Sequence, residues 1–430
     1  MTIQNVDFFV ITNETVGNVV TYGTTLLYID IVHSRTFPNT RTYIAIDPQG
    51  NITPLFENQL FNNARVVSEL SNLPPPKNLL VLEEIMRLPT VSLKEAYDTI
   101  KNILKKVVVF HDPYYYDLVT AYCIYTWLRG LFHKNVNLYV VGFPATGKSQ
   151  VAQFIKKFAR YPIDYGAEGE KSFKWYIAQT LGVLVIDEAE YLSKQKLAKL
   201  RKYHELTFET KLVGMQFVGL TQVVLRVDAP IVISATHVPS DIAFLQRGFL
   251  IRMRKGNPEV KSLMYIEDLD ETRLIAIKSI LCNWAEIYNN ILDVVLEVKD
   301  LEIDERAKDI AIPIMTVLKS VGSDYRWVLD YALRSIREAF YVTPENIVYT
   351  MLLMKIREQA KVEDNYYVIE VDKVYEIARD LAKKFFASES KVKYLLQYLY
   401  SGCQIESVEG KLCYVCDKNT VDHVIELATM

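Results

Sequence analysis

Residues 138–150 read LYVVGFPATGKSQ, an apolar run followed by a glycine-containing loop. The apolar run Leu138 to Val141 predicts a buried β-strand, and a helical pattern continues beyond the glycines through Phe158. Strand, glycine loop and helix in this order bring backbone N–H groups and a helix N-terminus to one point, an arrangement that binds the phosphates of nucleotides. The stretch therefore predicts an α/β fold with a phosphate-binding loop.

The residue types in this loop suit a nucleoside triphosphate with Mg²⁺. Gly142 and Gly147 allow the backbone to curl around the phosphates, and Lys148 adds a positive charge beside them. Ser149 offers a hydroxyl ligand to Mg²⁺. We therefore expect ATP and Mg²⁺ as cofactors, and the residues expected to bind them are Gly142, Phe143, Pro144, Ala145, Thr146, Gly147, Lys148, Ser149 and Gln150.

A second buried-strand pattern, Gly182 to Ile186, ends in the two carboxylates Asp187 and Glu188. Asp187 is expected to hold Mg²⁺ together with Ser149, and Glu188 to polarise the attacking water. Hydrolysis requires such a base, whereas a nucleotide kinase recruits its acceptor elsewhere. The pair therefore favours an ATPase, with exposed acids at a strand end as the alternative.

A third strand pattern, Pro230 to Ala235, becomes polar at Thr236 and His237. Ligands of open α/β sheets bind at the carboxyl ends of the strands, so these two side chains are expected near the γ-phosphate. Arg247 follows among apolar neighbours, where an unpaired guanidinium is costly unless it serves a partner. The alternatives are a loop histidine for His237 and a structural salt bridge for Arg247.

Between Val107 and Met253 these features together resemble the AAA+ ATPases, and among them the superfamily 3 and related hexameric helicases of viruses and plasmids. The motifs that carry the resemblance are the glycine loop, the Asp187-Glu188 pair, the strand ending at Thr236-His237 and the segment Ala243 to Arg247. The resemblance implies a homo-oligomeric ring, usually a hexamer, with ATP at each subunit interface.

The same resemblance implies roles for individual residues. His237 stands at the position of the family's sensor-1 asparagine, and Arg247 at that of the arginine finger, which acts on the nucleotide of a neighbouring subunit. Arg306 corresponds to a sensor-2 arginine of a helical lid that contacts the nucleotide. The chain departs from the family at His237, which replaces Asn, and at Ala145, where many loops have Gly.

Composition restricts the class of protein. The chain has 430 residues, 50% of them hydrophobic and 23% charged, which is ordinary for a globular protein of several domains. Its formal net charge of −3 excludes a uniformly basic coat protein, so any nucleic-acid surface is a local patch. No apolar run approaches about 18 residues, and the N-terminus has no basic signal region. We therefore expect a soluble, cytoplasmic protein without a membrane partner.

Changes of pattern divide the chain into five predicted domains. Strand-like alternation from Phe8 to Phe56 and the breaker Pro74-Pro75-Pro76 set off a β-rich region. Helical periodicity follows it, interrupted by a short β-like run at Val107 to Phe110. The predicted domains are a β-rich N-terminal domain (1–77), a helical connector (78–134), the AAA+ core (135–255), a helical lid (256–340) and a winged-helix-like domain (341–430).

An insertion between Glu188 and the third strand carries a basic cluster, with six Lys or Arg from Lys194 to Lys211 against Glu205 and Glu209. Such a patch suits a DNA backbone, because neutralised phosphates release counterions. A solvated helix face is the alternative. Two β-patterned runs then predict a hairpin from Val213 to Leu225, whose tip lacks the basic residue that pore hairpins of the resembling helicases often carry. The predicted DNA contacts of this region are Lys194, Lys199, Arg201, Lys202, Lys211 and Arg226.

The C-terminal pattern is typical of a winged helix. Its predicted elements are helices at Val371 to Phe386 and Lys391 to Tyr400, then strands at Gln404 to Val408 and Lys411 to Val415 around Glu409-Gly410. In such modules the second helix enters the DNA major groove, which makes Lys391, Lys393, Gln397 and Lys411 candidate contacts. Contact with a protein is the alternative.

Four zinc-ligand types lie near the C-terminus: Cys403, Cys413, Cys416 and His423. Cys413 and Cys416 are an odd number of residues apart on a predicted strand, so they face opposite sides of it and form no zinc knuckle. Buried thiols or one disulfide are the expectation.

The sequence as a whole predicts an ATP-dependent DNA helicase or translocase that forms a ring and replicates a mobile element. One alternative is an AAA+ initiator or loader that binds duplex DNA and uses ATP as an assembly switch without unwinding. A second is an ATPase that remodels proteins, in which the basic insertion is merely solvated. Strand separation distinguishes the helicase from the initiator or loader, which needs no unwinding. Salt-dependent DNA binding argues against the protein remodeller.

Overall fold

The chain forms two compact units, one of Met1–Thr236 with Gln246–Ser335 and one of His237–Leu245 with Ile336–Met430. The predicted division into five domains is finer than this and stays a prediction. The computed structural model describes residues 7–11, 18–22, 25–57, 59–61, 64–68, 76, 78–132, 134–142, 145–164, 176–177, 179–189, 215–218, 221–224, 229–236, 245–339, 344–386, 392, 396, 399 and 403–429.

The N-terminal part of the chain forms strands β1 (Asp7–Ile11), β2 (Asn18–Tyr22), β3 (Thr25–Val32), β4 (Thr42–Ile46), β5 (Ile52–Phe56), β6 (Leu60–Phe61) and β7 (Ala64–Ser68). An antiparallel sheet has the order β2-β3-β4-β5, and a second sheet has the order β1-β7-β6. The turn from β4 to β5 requires Gly50, whose φ is +83° and whose Cβ would lie 2.8 Å from the carbonyl oxygen of Cys282. Asp47 closes this turn by accepting the backbone N–H of Asn51 at 2.9 Å.

Helices α1 (Leu82–Arg87), α2 (Leu93–Val107) and α3 (Tyr114–Trp127) follow, and a 3₁₀ turn at Arg129–Leu131 ends this segment. Helix α2 begins with a capping box, in which Ser92 and Glu95 each accept the other's backbone N–H.

The β-like run predicted at Val107 to Phe110 is wrong, because residues 108–110 form no strand. The Tyr116 hydroxyl accepts the N–H of Phe110 and donates to the carbonyl of Val108, both at 3.1 Å. One side chain of α3 thus supplies the hydrogen bonds that a neighbouring strand would supply.

The centre of the first unit is a five-stranded parallel sheet. The elements of this region are β8 (Asn137–Val141), α4 (Lys148–Phe158), β9 (Ile163–Asp164), β10 (Leu184–Ile186), the hairpin strands β11 (Met215–Val218) and β12 (Thr221–Val224), β13 (Ile231–Ala235) and β14 (Gly248–Arg252). The strand order is β14-β8-β13-β10-β9, and every residue of β8 and β13 is buried, as expected when both faces of a parallel sheet are covered. The predicted α/β core is confirmed.

Four helices complete the first unit and lead into the second: α5 (Leu269–Cys282), α6 (Trp284–Lys299), α7 (Glu305–Ser320) and α8 (Trp327–Ala339). Helix α5 packs on α2, and α7 packs on α3 and α6, so helices assigned to the connector and the lid lie against each other. Along β14, Leu250 donates its N–H to Ser335 Oγ and accepts from the Tyr331 hydroxyl.

The antiparallel N-terminal sheet is built into the first unit. Asp30 on β3 forms an ion pair with Arg160, which follows α4, and both side chains are fully buried. The Tyr161 hydroxyl donates to the carbonyl of Ile31 at 2.6 Å, and the Trp284 indole N–H donates to that of Ile46 at 3.1 Å. Burial raises the pKa of the Asp30 carboxyl, and the Arg160 guanidinium opposes that rise.

The second unit contains α9 (Pro344–Gln359), β15 (Lys361–Glu363), β16 (Tyr366–Glu370), α10 (Val371–Phe386), β17 (Cys403–Val408), β18 (Lys411–Asp417) and α11 (Lys418–Thr429). Its antiparallel sheet has the order β15-β16-β18-β17, and Leu352, Leu381 and Tyr414 lie in its core. The turn from β17 to β18 has positive φ at both Glu409 and Gly410, as a two-residue hairpin turn requires. The winged-helix assignment stays a prediction.

Cys403 and Cys416 form a disulfide between directly opposed residues of β17 and β18. Cys413 is a buried free thiol. Among the residues that the structure describes, no group of three or more His, Cys, Asp or Glu side chains could hold a metal ion. Cys403 and Cys416 therefore follow the disulfide expectation, and Cys413 that of a buried thiol. None of the helices in the described part of the chain has the length and apolar character that crossing a membrane requires.

Candidate nucleotide site

The glycine loop joins the end of β8 to the start of α4. Gly142 donates its N–H to the carbonyl of Ala235 at 3.3 Å, so the loop leaves the sheet between β8 and β13. Gly147 is the N-cap of α4 with φ of +90°, and Lys148 is in the first helical turn. The N–H groups at the start of a helix suit an anion bound at the loop. Phe143 and Pro144 lie outside the described residues.

Gly142 is required for a second reason that the motif does not reveal. A Cβ at this position would lie 2.7 Å from the carbonyl oxygen of Met253 and 2.8 Å from Thr146 Oγ1. Met253 follows β14 and donates its N–H to the carbonyl of Val141 at 2.7 Å. The chain beyond β14 therefore supports the loop from one side.

Ala145 adopts the left-handed conformation, with φ of 63°. For a residue other than glycine this conformation costs roughly 1–2 kcal/mol. Alanine in place of the glycine common in the resembling ATPases thus keeps the backbone shape but strains it. Thr146 beside it is buried.

Ser149 and Asp187 meet across the sheet, with Ser149 Oγ 3.4 Å from Asp187 Oδ1. Ser149 is in the first turn of α4, and Asp187 directly follows β10. A hydroxyl and a carboxylate oxygen at this separation fit Mg²⁺, which takes few protein ligands and keeps waters and substrate phosphates as the others. The structure therefore brings together the two predicted metal ligands.

Glu188 and Thr236 lie at the same edge of the sheet. Glu188 is exposed, and its N–H donates to Asp187 Oδ1 at 3.1 Å. Thr236 follows Ala235, which is paired with Val141 at the start of the loop. Both residues thus follow the carboxyl ends of parallel strands, where the phosphates are predicted to bind. His237 lies outside the described residues, so its predicted role is untested.

Gln150 makes a contact within the protein. Its side-chain N–H donates to the carbonyl of Lys261 at 3.1 Å, which joins the first turn of α4 to the segment after β14. At the other end of α4, Lys157 pairs with Asp270, and Arg273 donates to the carbonyl of Lys157 at 2.6 Å. The hydrogen bond from Lys157 lowers the pKa of Asp270. Helix α4 is thereby held at both ends by the chain that follows β14.

Arg247 lies at the amino-terminal end of the sheet strands, whereas the glycine loop leaves β8 at the carboxyl end. Its carbonyl accepts the N–H of Asn137 at 3.1 Å, and Gly248 is paired with Asn137 at the first residue of β8. The loop leaves β8 after Val141, four residues further on, which is about 13 Å along a strand. Arg247 is therefore remote from the phosphates of its own chain.

Arg306 also lies at the amino-terminal end of the sheet strands. It is exposed in the first turn of α7, and its guanidinium donates to the side-chain oxygen of Gln246. The sensor-2 comparison implied that Arg306 contacts the nucleotide of its own chain; within the described residues its side chain contacts Gln246 instead. Sequence patterns alone could not reveal this, because the position depends on how α7 packs on α3 and α6.

Most of the residues predicted to contact DNA lie outside the described residues, and these predictions are untested: Lys194, Lys199, Arg201, Lys202, Lys211, Arg226, Lys391, Lys393 and Gln397. The predicted hairpin between β10 and β13 is present, with Val218 of β11 paired to Thr221 of β12. Near the C-terminus, Lys411 is engaged by Glu370 at 2.6 Å.

No family model and no curated protein matches the chain. The apo structure of the NrS-1 C-terminal region is similar at 12% identity and a TM-score of 0.35, over 90% of this chain and 96% of that chain. The SCCmec type IV Cch active helicase is similar at 10% identity and a TM-score of 0.39, over 94% and 97%. The Aeropyrum pernix ORC2 protein is similar at 11% identity and a TM-score of 0.23, over 75% and 94%. At these values the similarities assign the chain to no family, and its function has to be inferred from the site.

Proposed function

We propose that this protein is an ATP-dependent DNA helicase or translocase of the AAA+ type that works as a ring, hexameric in the manner of the helicases it resembles. The observation that carries the ATPase part is the 3.4 Å approach of Ser149 Oγ to Asp187 Oδ1 beside the glycine loop. Two oxygen ligands, a lysine and a helix N-terminus then converge on one anion position.

Each residue of the site has a role in the proposed hydrolysis. Lys148 pairs with the β- and γ-phosphates, and Glu188 accepts the proton of the attacking water. Mg²⁺, bound by Ser149 and Asp187, would neutralise phosphate charge. Thr236 and His237 are proposed to hydrogen-bond the γ-phosphate.

Arg247 is proposed to act on the ATP of an adjacent subunit. The register of β14 against β8 supports this role, because Arg247 precedes the residue paired with Asn137, whereas the glycine loop follows Val141 at the other end of β8. Each interface would then combine the glycine loop of one subunit with Arg247 of the next. Assembly is therefore a condition for hydrolysis.

The DNA-binding part of the proposal relies on the insertion between β10 and β13. Its basic residues would contact the DNA backbone, and hydrolysis would move them together with the β11–β12 hairpin. The N-terminal sheets are proposed to form a collar of the ring. The pairing of Lys411 with Glu370 gives the β17–β18 hairpin little free positive charge for DNA.

The test is the rate of ATP hydrolysis with and without single-stranded and forked DNA, followed by strand displacement on the same samples. Glu188→Gln is expected to lower hydrolysis by roughly 10²- to 10⁴-fold while nucleotide still binds, because the variant loses only the base. Glu271→Gln removes an equivalent exposed carboxylate on α5 and is expected to behave as wild type.

The outcomes separate the candidate functions. Unwinding that disappears in Glu188→Gln supports the helicase. DNA binding with hydrolysis but no unwinding supports the initiator or loader, and hydrolysis that ignores DNA supports a remodeller of proteins. Equal hydrolysis by wild type and Glu188→Gln would remove the ATPase proposal itself.

A further inference from the structure

Arg306 is linked to the residue beside Arg247 at the end of the sheet strands away from the glycine loop. Arg306 donates to the side chain of Gln246, the residue that precedes Arg247. Arg306 of α7 thus contacts the residue next to Arg247, although the two arginines are nearly sixty residues apart in sequence. The contact matters because Arg247 is the proposed ligand of a triphosphate, and a guanidinium binds such a polyanion only in a suitable orientation.

The backbone on each side of this contact is held in place. On the β14 side, the Arg247 carbonyl accepts from Asn137, and a Cβ on Gly248 would lie 2.3 Å from the Asn137 carbonyl oxygen. On the α7 side, Asp304 caps the helix by accepting the N–H of Arg306 at 2.8 Å. The guanidinium of Arg306 thus reaches Gln246 from a fixed helix end.

The nearby carboxylates do not neutralise Arg306. Asp304 is used as the helix cap, and Glu305 pairs with Lys308 at 2.7 Å. Within the described residues Arg306 makes no ion pair, and it is exposed. A guanidinium has five N–H donors, so most of them stay available after one bond to Gln246.

We infer that Arg306 is a positioning residue for the nucleotide of a neighbouring subunit: it holds Gln246 and thereby orients Arg247 across the subunit interface. It would not serve as a sensor for the nucleotide of its own chain, because the glycine loop lies at the other end of β8. This inference rests on the proposed ATPase ring.

The test uses mixed assemblies, made by co-expressing two differently tagged variants. Arg306→Ala alone is expected to lower hydrolysis by about 10- to 100-fold, because Arg247 loses its orientation. Lys148→Ala alone is expected to be inactive. In an equal mixture of the two, an Arg306→Ala subunit keeps an intact phosphate site and can receive Arg306 from a Lys148→Ala neighbour. Random mixing makes about a quarter of the interfaces complete, so about a quarter of wild-type activity should return.

A second mixture is expected to recover no activity. Arg306→Ala mixed with Arg247→Ala should be no more active than Arg306→Ala alone, because both residues are needed on the same side of the interface. If Arg306 served its own nucleotide, this mixture would recover about a quarter of the activity and the first would recover none. That pair of results would overturn the inference while leaving the proposed ATPase intact.

The mixture of Arg247→Ala with Lys148→Ala is the control for the ring itself. Recovery there is expected from the proposed function alone. Its failure, or inactive wild-type protein, would contradict the proposed function and this inference with it, and is thereby distinguishable from a wrong role for Arg306.

Hydrolysis by further variants tests the positioning role separately from the subunit mixtures. Gln246→Ala should lower hydrolysis as much as Arg306→Ala, and the double variant should be no worse than either, since both remove one contact. Arg306→Lys should recover part of the activity, because an ammonium still donates to the Gln246 oxygen. Full activity of Gln246→Ala would overturn the positioning role.

Discussion

Gly142 has no room for a methyl group, which makes it the sharpest single-residue test of the phosphate loop. In Gly142→Ala the new Cβ meets the Met253 carbonyl and Thr146, so the loop has to move away from the phosphate position. We expect nucleotide binding to weaken by roughly tenfold or more, equivalent to about 1.4 kcal/mol, measured by titration with a fluorescent ATP analogue.

Ala145→Gly is the matched control, since it removes a Cβ from the same loop, whereas Gly142→Ala adds one. Glycine accepts the positive φ of this position without strain, so binding should be retained and the free energy of unfolding should rise by about 1 kcal/mol. A loss of binding in Ala145→Gly equal to that in Gly142→Ala would show that the loop tolerates neither change and would contradict the steric explanation.

At this scale the sequence predicted the residues that meet at the site but not what supports them. Ser149 and Asp187 follow from the motif and the strand pattern, because the carboxyl ends of parallel strands share one edge. Met253 has no such signal, because its contact with Gly142 depends on the register of β14 against β8. The position of Arg306 depends on helix packing in the same way.

Among the elements, the loop after β3 is attached to α1 by one carboxylate. Glu83 accepts hydrogen bonds from Ser34 Oγ at 2.7 Å, from the N–H of Arg35 at 3.1 Å and from Thr36 Oγ1 at 3.0 Å. Burial raises the pKa of Glu83, but these hydrogen bonds outweigh it and hold the pKa well below its ordinary value. The carboxylate thus stabilises the fold only while it is ionised.

Because the pKa of Glu83 is lower in the folded protein than in the unfolded chain, Glu83 stabilises the fold more at higher pH. The contribution of Glu83 is present above the ordinary carboxyl pKa of about 4.3 and is lost as the pH falls toward the lower folded value. Glu83→Gln should therefore lower the urea midpoint near neutral pH, and the difference from wild type should shrink in acid.

The control for this prediction is Glu84→Gln. Glu84 pairs with Arg35 at the surface, where an ion pair contributes little. Its urea midpoint should match wild type at both pH values, and a Glu83→Gln deficit that grew in acid would contradict the assignment.

Helices and strands could be predicted from the sequence where the spacing of apolar residues and the flanking turn residues indicated the same element. The strands β8, β10 and β13 and the helix α4 lie where the pattern predicted them. The run Val107 to Phe110 has the same β-like character, but the Tyr116 hydroxyl takes the hydrogen bonds of a partner strand. Such a tertiary contact is not encoded in the period of the run itself.

For the whole molecule, the buried pair of Asp30 and Arg160 is the main test of how the N-terminal sheet is attached. Asp30→Asn leaves a guanidinium without its counterion in a dry interior, so we expect a loss of about 3–5 kcal/mol in the free energy of unfolding. The measurement is chemical denaturation. Asp98→Asn, which breaks an exposed pair with Lys94, should cost less than about 0.5 kcal/mol.

A combined replacement of both partners by apolar residues, Asp30→Leu with Arg160→Met, should recover much of the loss, because no charge then remains buried. A cost for Asp30→Asn no greater than for Asp98→Asn would show that the pair contributes nothing to the attachment. The attachment was not predictable, since a strand aspartate and an arginine after a distant helix give no sign that they meet.

The occupied outer side of β14 limits how copies of this chain can associate. Tyr331 and Ser335 already use the backbone groups of Leu250 that face away from the sheet. At Leu250 a strand from another molecule therefore finds its backbone partners already taken, which disfavours β-augmentation at the middle of this strand. Contacts between copies at this point are then left to side chains, which can form and break without reordering the sheet.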